Sequence, residues 1–373
     1  MRFRYSPEHE ELRSGVRRLL DEAAGATSPH GGPDEALTAR LADEIGAFSI
    51  ALPERFGGAG FGLVELGVVC HELGWSAVDL PLFSATLASQ LLLASGDDAA
   101  CAERLPAVAT ARSRAAAAVV EAGGGWGDRP AATASESDGR WRLSGDKTWV
   151  LDGLAADWFV VAASTQRGVS LFLVDADADG VTVADTPTVD LSRSVAQARF
   201  TDAPARLLGV DGAGEQSLRL VADRALALIA ADNTGITARC LAMATSWATE
   251  REQFGQPIGS FQAIKHKLAD VQLELEAAVS ASMFALWTAD DQPDDLGHVA
   301  RIAAVTCAEA AQLATQENIQ VHGGIGATWE HPAHRYLRRA RLNRVLFGDP
   351  QQLLADLAEH IESEHIEGEH SNA

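Results

Sequence analysis

The chain has 373 residues, 47% of them hydrophobic, with 30 Lys and Arg against 52 Asp and Glu and a formal charge of −22. That composition excludes a disordered chain, and the length exceeds what one core usually serves, so two or three packed subdomains are expected. The acidic balance excludes non-specific nucleic-acid binding, while a locally basic pocket for a small anion stays compatible with it.

No apolar run has the length of a membrane span, and Met1 to Pro7 lack the apolar segment of a leader, so a cytoplasmic protein with no membrane contact is expected. Cys70, Cys101, Cys240 and Cys307 lie far apart with no CxxC spacing. They read as thiols of a reducing compartment rather than as a disulfide framework or metal site.

Residues 1–111 read as helices. Ser6-Pro7 places a favoured N-cap before a proline at the first helical position, and Leu12, Val16, Leu19 and Leu20 follow at helical spacing. A glycine-rich turn from Phe56 to Gly62 precedes a helix over Leu63–Leu73, which Gly74 is expected to close. Residues 112–212 switch to short alternating segments. Trp141–Leu143, Trp149–Leu151, Trp158–Ala162 and Val169–Val174 read as separate strands of a small barrel or sandwich, with Trp126, Trp141, Trp149 and Trp158 as packing for it. From 213 to 358 the pattern is helical again. One long run covers Glu215–Glu252, a second carries Ile264, Leu268, Val271 and Leu275 on one face, and a third covers Val299–Val321. Residues 359–373 read as a flexible acidic tail.

Three segments resemble the acyl-CoA dehydrogenase family. They are Leu52-Pro-Glu-Arg-Phe-Gly-Gly-Ala-Gly-Phe-Gly, Arg251-Glu-Gln-Phe-Gly-Gln-Pro-Ile-Gly-Ser, and Gln320-Val-His-Gly-Gly-Ile-Gly. The resemblance implies a mainly α fold with a central β-domain: an N-terminal helical domain, a β-barrel and a C-terminal four-helix bundle, assembled as a tetramer. It also implies an acyl-CoA substrate and FAD at a subunit interface. One chain would hold the flavin ring in its β-domain, and the neighbour would reach the pyrophosphate and adenosine. Electrons would leave to an electron-transfer flavoprotein or another acceptor.

The resemblance places the neighbour's share on Arg251, Gln253 and Phe254 and on Gln320, Gly323 and Gly324. A guanidinium forks onto pyrophosphate oxygens, and glycine lets bare backbone approach a nucleotide. Alternatively, Arg251 ends a helix favourably and the glycines turn the chain.

The flavin-ring motifs depart from the family pattern. Thr-Glu-Pro with a Gly-Ser-Asp turn reads Val120-Glu-Ala-Gly-Gly-Gly-Trp126, and Trp-x-Thr-Asn-Gly reads Trp149-Val-Leu-Asp-Gly153. Val120 and Leu151 thus replace two hydroxyls that meet the ring, while Glu121 survives in a structural role. Of the family's two positions for the carboxylate base, one is Gly348 in Leu346-Phe-Gly-Asp-Pro350 and the other is Ala225, followed by Leu226. Asp232 lies about two turns beyond Ala225 and is the weak candidate for a displaced base, its commoner role being a polar helix contact. Asp349 reads as turn chemistry.

His331 and His334 near Glu330 are discounted as metal ligands because Pro332 breaks their alignment. Arg335, Arg338, Arg339, Arg341 and Arg344 form a basic stripe that reads as a solvated face, with a partner's acidic surface or a CoA phosphate as the alternatives. The Glu330–Ala340 stretch and the Phe347-Gly-Asp-Pro turn are similar to an actinobacterial branch of the family that forms α2β2 heterotetramers on bulky, steroid-type acyl-CoA esters. The expectation is therefore a subunit that lends trans FAD contacts to a second acyl-CoA dehydrogenase subunit. A self-sufficient homotetramer with a relocated base, and a non-catalytic acyl-CoA-binding or scaffold protein, stay open as alternatives. A flavin monooxygenase on the same fold fits the absent base but not the absent flavin contacts.

Overall fold

The structure, a computed structural model, describes residues 5–23 and 34–359. These divide into two compact units. One holds Tyr5–Val69 and Val78–Ala225, and the other holds Cys70–Ala77 and the chain from Leu226 onward. The chain passes between them within two helices.

The first unit opens with α1 (Pro7–Ala23), capped reciprocally. The His9 N–H donates to Ser6 Oγ at 3.4 Å, and the Ser6 N–H donates to His9 Nδ1 at 3.1 Å. Val16, Leu19 and Leu20 are buried, as their spacing implies. Then follow α2 (Glu35–Arg40), α3 (Leu63–Ser76), α4 (Leu82–Ala94) and α5 (Asp98–Ala109). Almost every residue of α4 is buried, so it is a core helix without an amphipathic stripe.

Seven strands follow: β1 (Ala115–Ala118), β2 (Thr133–Ser137), β3 (Arg140–Leu151), β4 (Trp158–Ser164), β5 (Val169–Asp175), β6 (Val181–Asp185) and β7 (Val195–Leu208). The pairing runs β4–β2–β3–β7–β5 and closes because β5 also pairs with β4; β1 adds to β4 and β6 to β7. Closure leaves few open edges and encloses a core of Leu143, Phe159, Val161, Phe172 and Phe200.

Trp141–Leu143 and Trp149–Leu151 belong to one long strand, β3, rather than to two. Gly145, which looks like a break, is a bulge with φ of 149° that keeps the strand paired to β7. A Cβ there would fall 2.4 Å from that of Ala132. Trp126 and Trp158 are buried and Trp141 packs on the barrel core. Trp149 departs from the packing expectation: it is 40% exposed with a positive φ of 56°.

In the second unit, α6 (Gly214–Glu250) from Leu226 onward, α7 (Gln262–Asp291), α8 (Leu296–His322) and α9 (Ala333–Leu346) are the helices of a bundle. Its core includes Ile236, Cys240, Val271, Ala311, Ala314 and Tyr336. Gly74 does not close α3 but lies inside it. A Cβ on Gly74 would sit 1.9 Å from Asp232 O, and one on Gly235 would sit 1.9 Å from His71 O. The two glycines let α3 and α6 cross in backbone contact.

Residues 350–359 are helical, and the acidic tail beyond Glu359 lies outside the described residues. Among the described residues, no helix is long and apolar enough to cross a membrane.

Candidate functional site

The two segments assigned to a neighbour's FAD meet at one end of the bundle. After α6, the strands β8 (Glu252–Gln253) and β9 (Gln256–Pro257) form a hairpin whose two-residue turn is Phe254-Gly255. Both turn residues have positive φ, 55° and 80°, as a tight hairpin requires. For phenylalanine that conformation is strained, and the ring stands 93% exposed. Arg251 and Gln253 are exposed too.

The last turns of α6 hold the hairpin's base against the loop after α8. Ala244, Ala248 and Val321 form one buried cluster, with Trp247, Ile258, Ile264 and Leu268 around it. Gly323 ends α8 at φ 67° and ψ −145°, a region essentially reserved for glycine. A Cβ on Gly323 or Gly324 would meet nothing within 4 Å, so bare backbone faces outward there beside exposed Gln320. This set suits a dinucleotide: a permanently charged fork, two amide-bearing side chains and a backbone that no side chain covers.

The β-domain brings its two altered motifs side by side. The Thr148 N–H donates to Val120 O at 2.8 Å, and Val120 and Leu151 are each 5% exposed. Neither side chain can donate to a flavin ring. Thr148 Oγ1, beside them, is buried with no hydrogen-bond partner among the described residues. Glu121 braces the motif. It accepts from Lys147 Nζ at 2.6 Å and from the backbone N–H of Ala131 and Ala132. Burial opposes charge on Glu121, yet Lys147 and these N–H groups hold its carboxyl below the usual range. Burial also pulls the fully buried Lys147 down despite Glu121.

Asp152 stands where the motif carries Asn. It is left-handed at φ 53°, 8% exposed, and takes Ser84 Oγ at 2.5 Å. Burial pushes its carboxyl up to about 7; Ser84 opposes this, Asp79 adds to it, and Arg193 and Arg114 oppose it. Val120 and Leu151 therefore do not fit a flavin ring in the family's manner, whereas the donor chemistry around Arg251, Gln253 and Gln320 fits a dinucleotide.

Neither base position carries a proton acceptor. Ala225 is fully buried. Gly348 borders a small hollow lined by Leu226, Ile229, Phe347 and Leu353, with Asn233 and Asn343 as polar members. Asp232 does not line it. Its carboxylate accepts from Arg339 Nε at 3.1 Å, from Arg339 Nη2, and from Asn343 Nδ2 at 2.6 Å. A carboxylate so engaged is stabilised in its charged form and is a poor base. Asp232 thus makes the polar helix contact, joining α6 to α9.

The same pair corrects the reading of the arginine stripe. Arg339 is 3% exposed and Arg341 alone of the five is exposed, the other three being half-buried, because α9 presents its arginines to the bundle as well as to solvent. Asp349 accepts from the Gln351 N–H at 2.9 Å, which is turn chemistry. Among the described residues, no group of three or more His, Cys, Asp or Glu is placed to hold a metal.

Two arrangements escaped the sequence reading. Ser84–Asp152 joins residues 68 apart, and no local pattern announces it. His322 stacks on Trp247 with ring centroids at 5.1 Å and lies 4.2 Å from the His331 ring. Here the presence of two histidines flanking the glycine loop was a signal that could have been used.

Comparison with known proteins agrees with this geometry. The family models for the acyl-CoA dehydrogenase N-terminal, middle and C-terminal domains match residues 6–112, 116–201 and 212–362. Acyl-CoA dehydrogenase IpdE2 of Mycobacterium tuberculosis is 32% identical over 95% of this chain and 97% of its own length. A solved variant of the Tcur3481–Tcur3483 steroid acyl-CoA dehydrogenase is 32% identical with a TM-score of 0.88, covering 96% of this chain and 99% of that one. The ChsE4–ChsE5 complex of Mycobacterium tuberculosis is 27% identical with a TM-score of 0.88, covering 97% and 99%. With all three domains matched in order, the chain belongs to the acyl-CoA dehydrogenase family of FAD-dependent enzymes.

Proposed function

We propose that this chain is the trans-contributing subunit of a heteromeric acyl-CoA dehydrogenase that introduces an α,β double bond into a bulky, steroid-type acyl-CoA ester. The observation that carries this reading is that Val120 and Leu151, the two positions expected to offer a hydroxyl to the ring, are both apolar and buried, on segments joined by the Thr148 N–H to Val120 O bond. One apolar replacement leaves the other contact; two leave neither motif position with a donor for the ring.

FAD supplies the hydride acceptor when bound. In this reading Arg251 would fork onto the pyrophosphate, and Gln320 with Gly323 and Gly324 would lie against the nucleotide. Gln253 and Phe254, on the same hairpin, would add to that contact with the nucleotide. The partner subunit carries the hydroxyls and the base. The heteromeric assembly and the steroid-type substrate draw support from the names of the 32% and 27% identical structures. A cytoplasmic location and transfer of electrons to an electron-transfer flavoprotein or another acceptor follow the family pattern. A self-sufficient enzyme with Asp232 as base is disfavoured by the Arg339 pair.

The test is flavin absorbance per chain, for the protein alone and after co-expression with a second acyl-CoA dehydrogenase carrying intact Thr-Glu-Pro, Trp-x-Thr-Asn-Gly and base motifs. The protein alone should be colourless, and the complex should hold about half a flavin per chain. Full occupancy of the protein alone refutes the reading.

A further inference from the structure

The nucleotide loop rests on a column of rings drawn from three segments. Trp247 of α6 stacks on His322 of α8 at 5.1 Å and 26°, and His322 meets His331 of the following loop at 4.2 Å and 39°. Gly326 lies directly on this column, since a Cβ there would fall 3.0 Å from His322 Cβ. A shift of the His322 ring is therefore transmitted to Gly323–Ala327, which has little slack.

We propose that His331 is a positioning residue for the Gln320–Gly324 loop, and that it holds the loop only while its ring is neutral. This rests on the reading that the loop takes the partner's nucleotide.

The hydrogen bonds carry the argument. The Ala333 N–H, the first of α9, donates to His331 Nδ1 at 3.2 Å. That nitrogen must keep its lone pair, so a doubly protonated ring loses this cap. The positive end of α9 also disfavours a cation there. His322 Nδ1 lies 2.7 Å from Asn318 O and so carries the proton as a donor.

The surroundings do not offer compensation. From α8 comes His322, from α6 the neutral Trp247, and from α9 His334, Arg335 and Arg338; Glu330, next in the chain, is exposed. Burial, His322 and His334 all hold the His331 ring below the usual imidazole range. Burial, Arg338 and Arg335 do the same for His334. The sign follows. The neutral column is intact above the unfolded imidazole value of about 6.5, and the stability it contributes is lost as pH falls below that.

The test uses the complex co-purified with its flavin-bearing partner, dialysed between pH 5 and pH 8, with retained FAD read by absorbance. The thermal midpoint of the chain alone is recorded over the same range. Wild type should retain FAD at neutral pH and lose it on the acid side. His331→Asn keeps an oxygen to cap the Ala333 N–H but does not titrate; it should rescue retention at acid pH, moving half-retention down by about one pH unit. His331→Phe keeps the ring without the cap, and should retain less FAD at every pH with the acid step flattened.

An acid step unchanged in His331→Asn overturns the proposal. If the complex holds no FAD at any pH, the proposed function fails instead, and the thermal midpoints still decide: an acid-side fall that persists in His331→Asn removes His331 from the role.

Discussion

Replacing Arg339 by methionine tests the buried link between α6 and α9. Arg339 and Asp232 are 3% and 2% exposed at their side chains, and the guanidinium contacts the carboxylate through both Nε and Nη2. Removing one partner of such a pair leaves an uncompensated charge in low dielectric, which costs about 3–5 kcal/mol, or a factor of roughly 10² to 10³·⁵ in the folded population. Arg339→Met should lower the unfolding free energy, read from the urea midpoint and m-value, by that amount. Adding Asp232→Asn in the same chain should recover most of the loss, because no buried charge then remains and the amide still meets Asn343 and its neighbours. Tryptophan fluorescence follows the transition, with the m-value checked, since a chain of two compact units need not unfold in one step. The argument also separates the two roles of Asp232. A base would show Asp232→Asn abolishing turnover of the complex with stability spared, whereas a structural anchor shows a lowered midpoint with turnover following the folded fraction. A cost below about 1 kcal/mol for Arg339→Met, or no recovery in the double variant, refutes the reasoning.

Two further outcomes follow from single positions. Gly235→Ala at an open helix site would stabilise by about 1 kcal/mol, but here the new methyl would meet His71 O at 1.9 Å and Trp75 N at 2.7 Å. The helices must part, so a net loss of about 1–3 kcal/mol is expected in the thermal midpoint, and a raised midpoint would show that the crossing is not close. Asp152 makes stability fall as pH rises. Its folded carboxyl keeps a proton up to about 7 that the unfolded chain has already lost above 3.8, so its contribution is full below the lower value and gone above the upper one. The change is at most about 4 kcal/mol. Asp152→Asn, which mimics the neutral acid, should flatten the slope of thermal midpoint against pH between those values, and a slope that persists in the variant assigns it elsewhere.

The periodic and covalent features of this chain were legible in order. Leu12, Val16, Leu19 and Leu20 announced α1, the proline-free run after Glu215 announced α6, and alternating segments between glycines announced a barrel or sandwich, of which the barrel formed. Each of these depends on neighbours within a few residues, where helix or strand spacing alone decides which side chains share a face. That Val120, Leu151, Ala225 and Gly348 carry no hydroxyl or carboxylate is plain in the sequence, while the roles of those positions come from the family resemblance. Partnership between distant residues was not legible there. Gly74 looked like a helix stop because glycine usually is one; that it lets α3 cross α6 depends on where Asp232 O lies in space. Arg339 looked like surface because arginines usually are; the buried carboxylate that reverses this comes from 107 residues away. His331 showed only a proline at its side, and its role follows from Ala333 N–H and the His322 ring, which tertiary packing alone brings within reach. A local pattern fixes which groups are present and which way each faces along its own element, but the free energy of a buried charge, a glycine contact or an imidazole proton is set by what packs against it, and that is decided when the chain closes on itself.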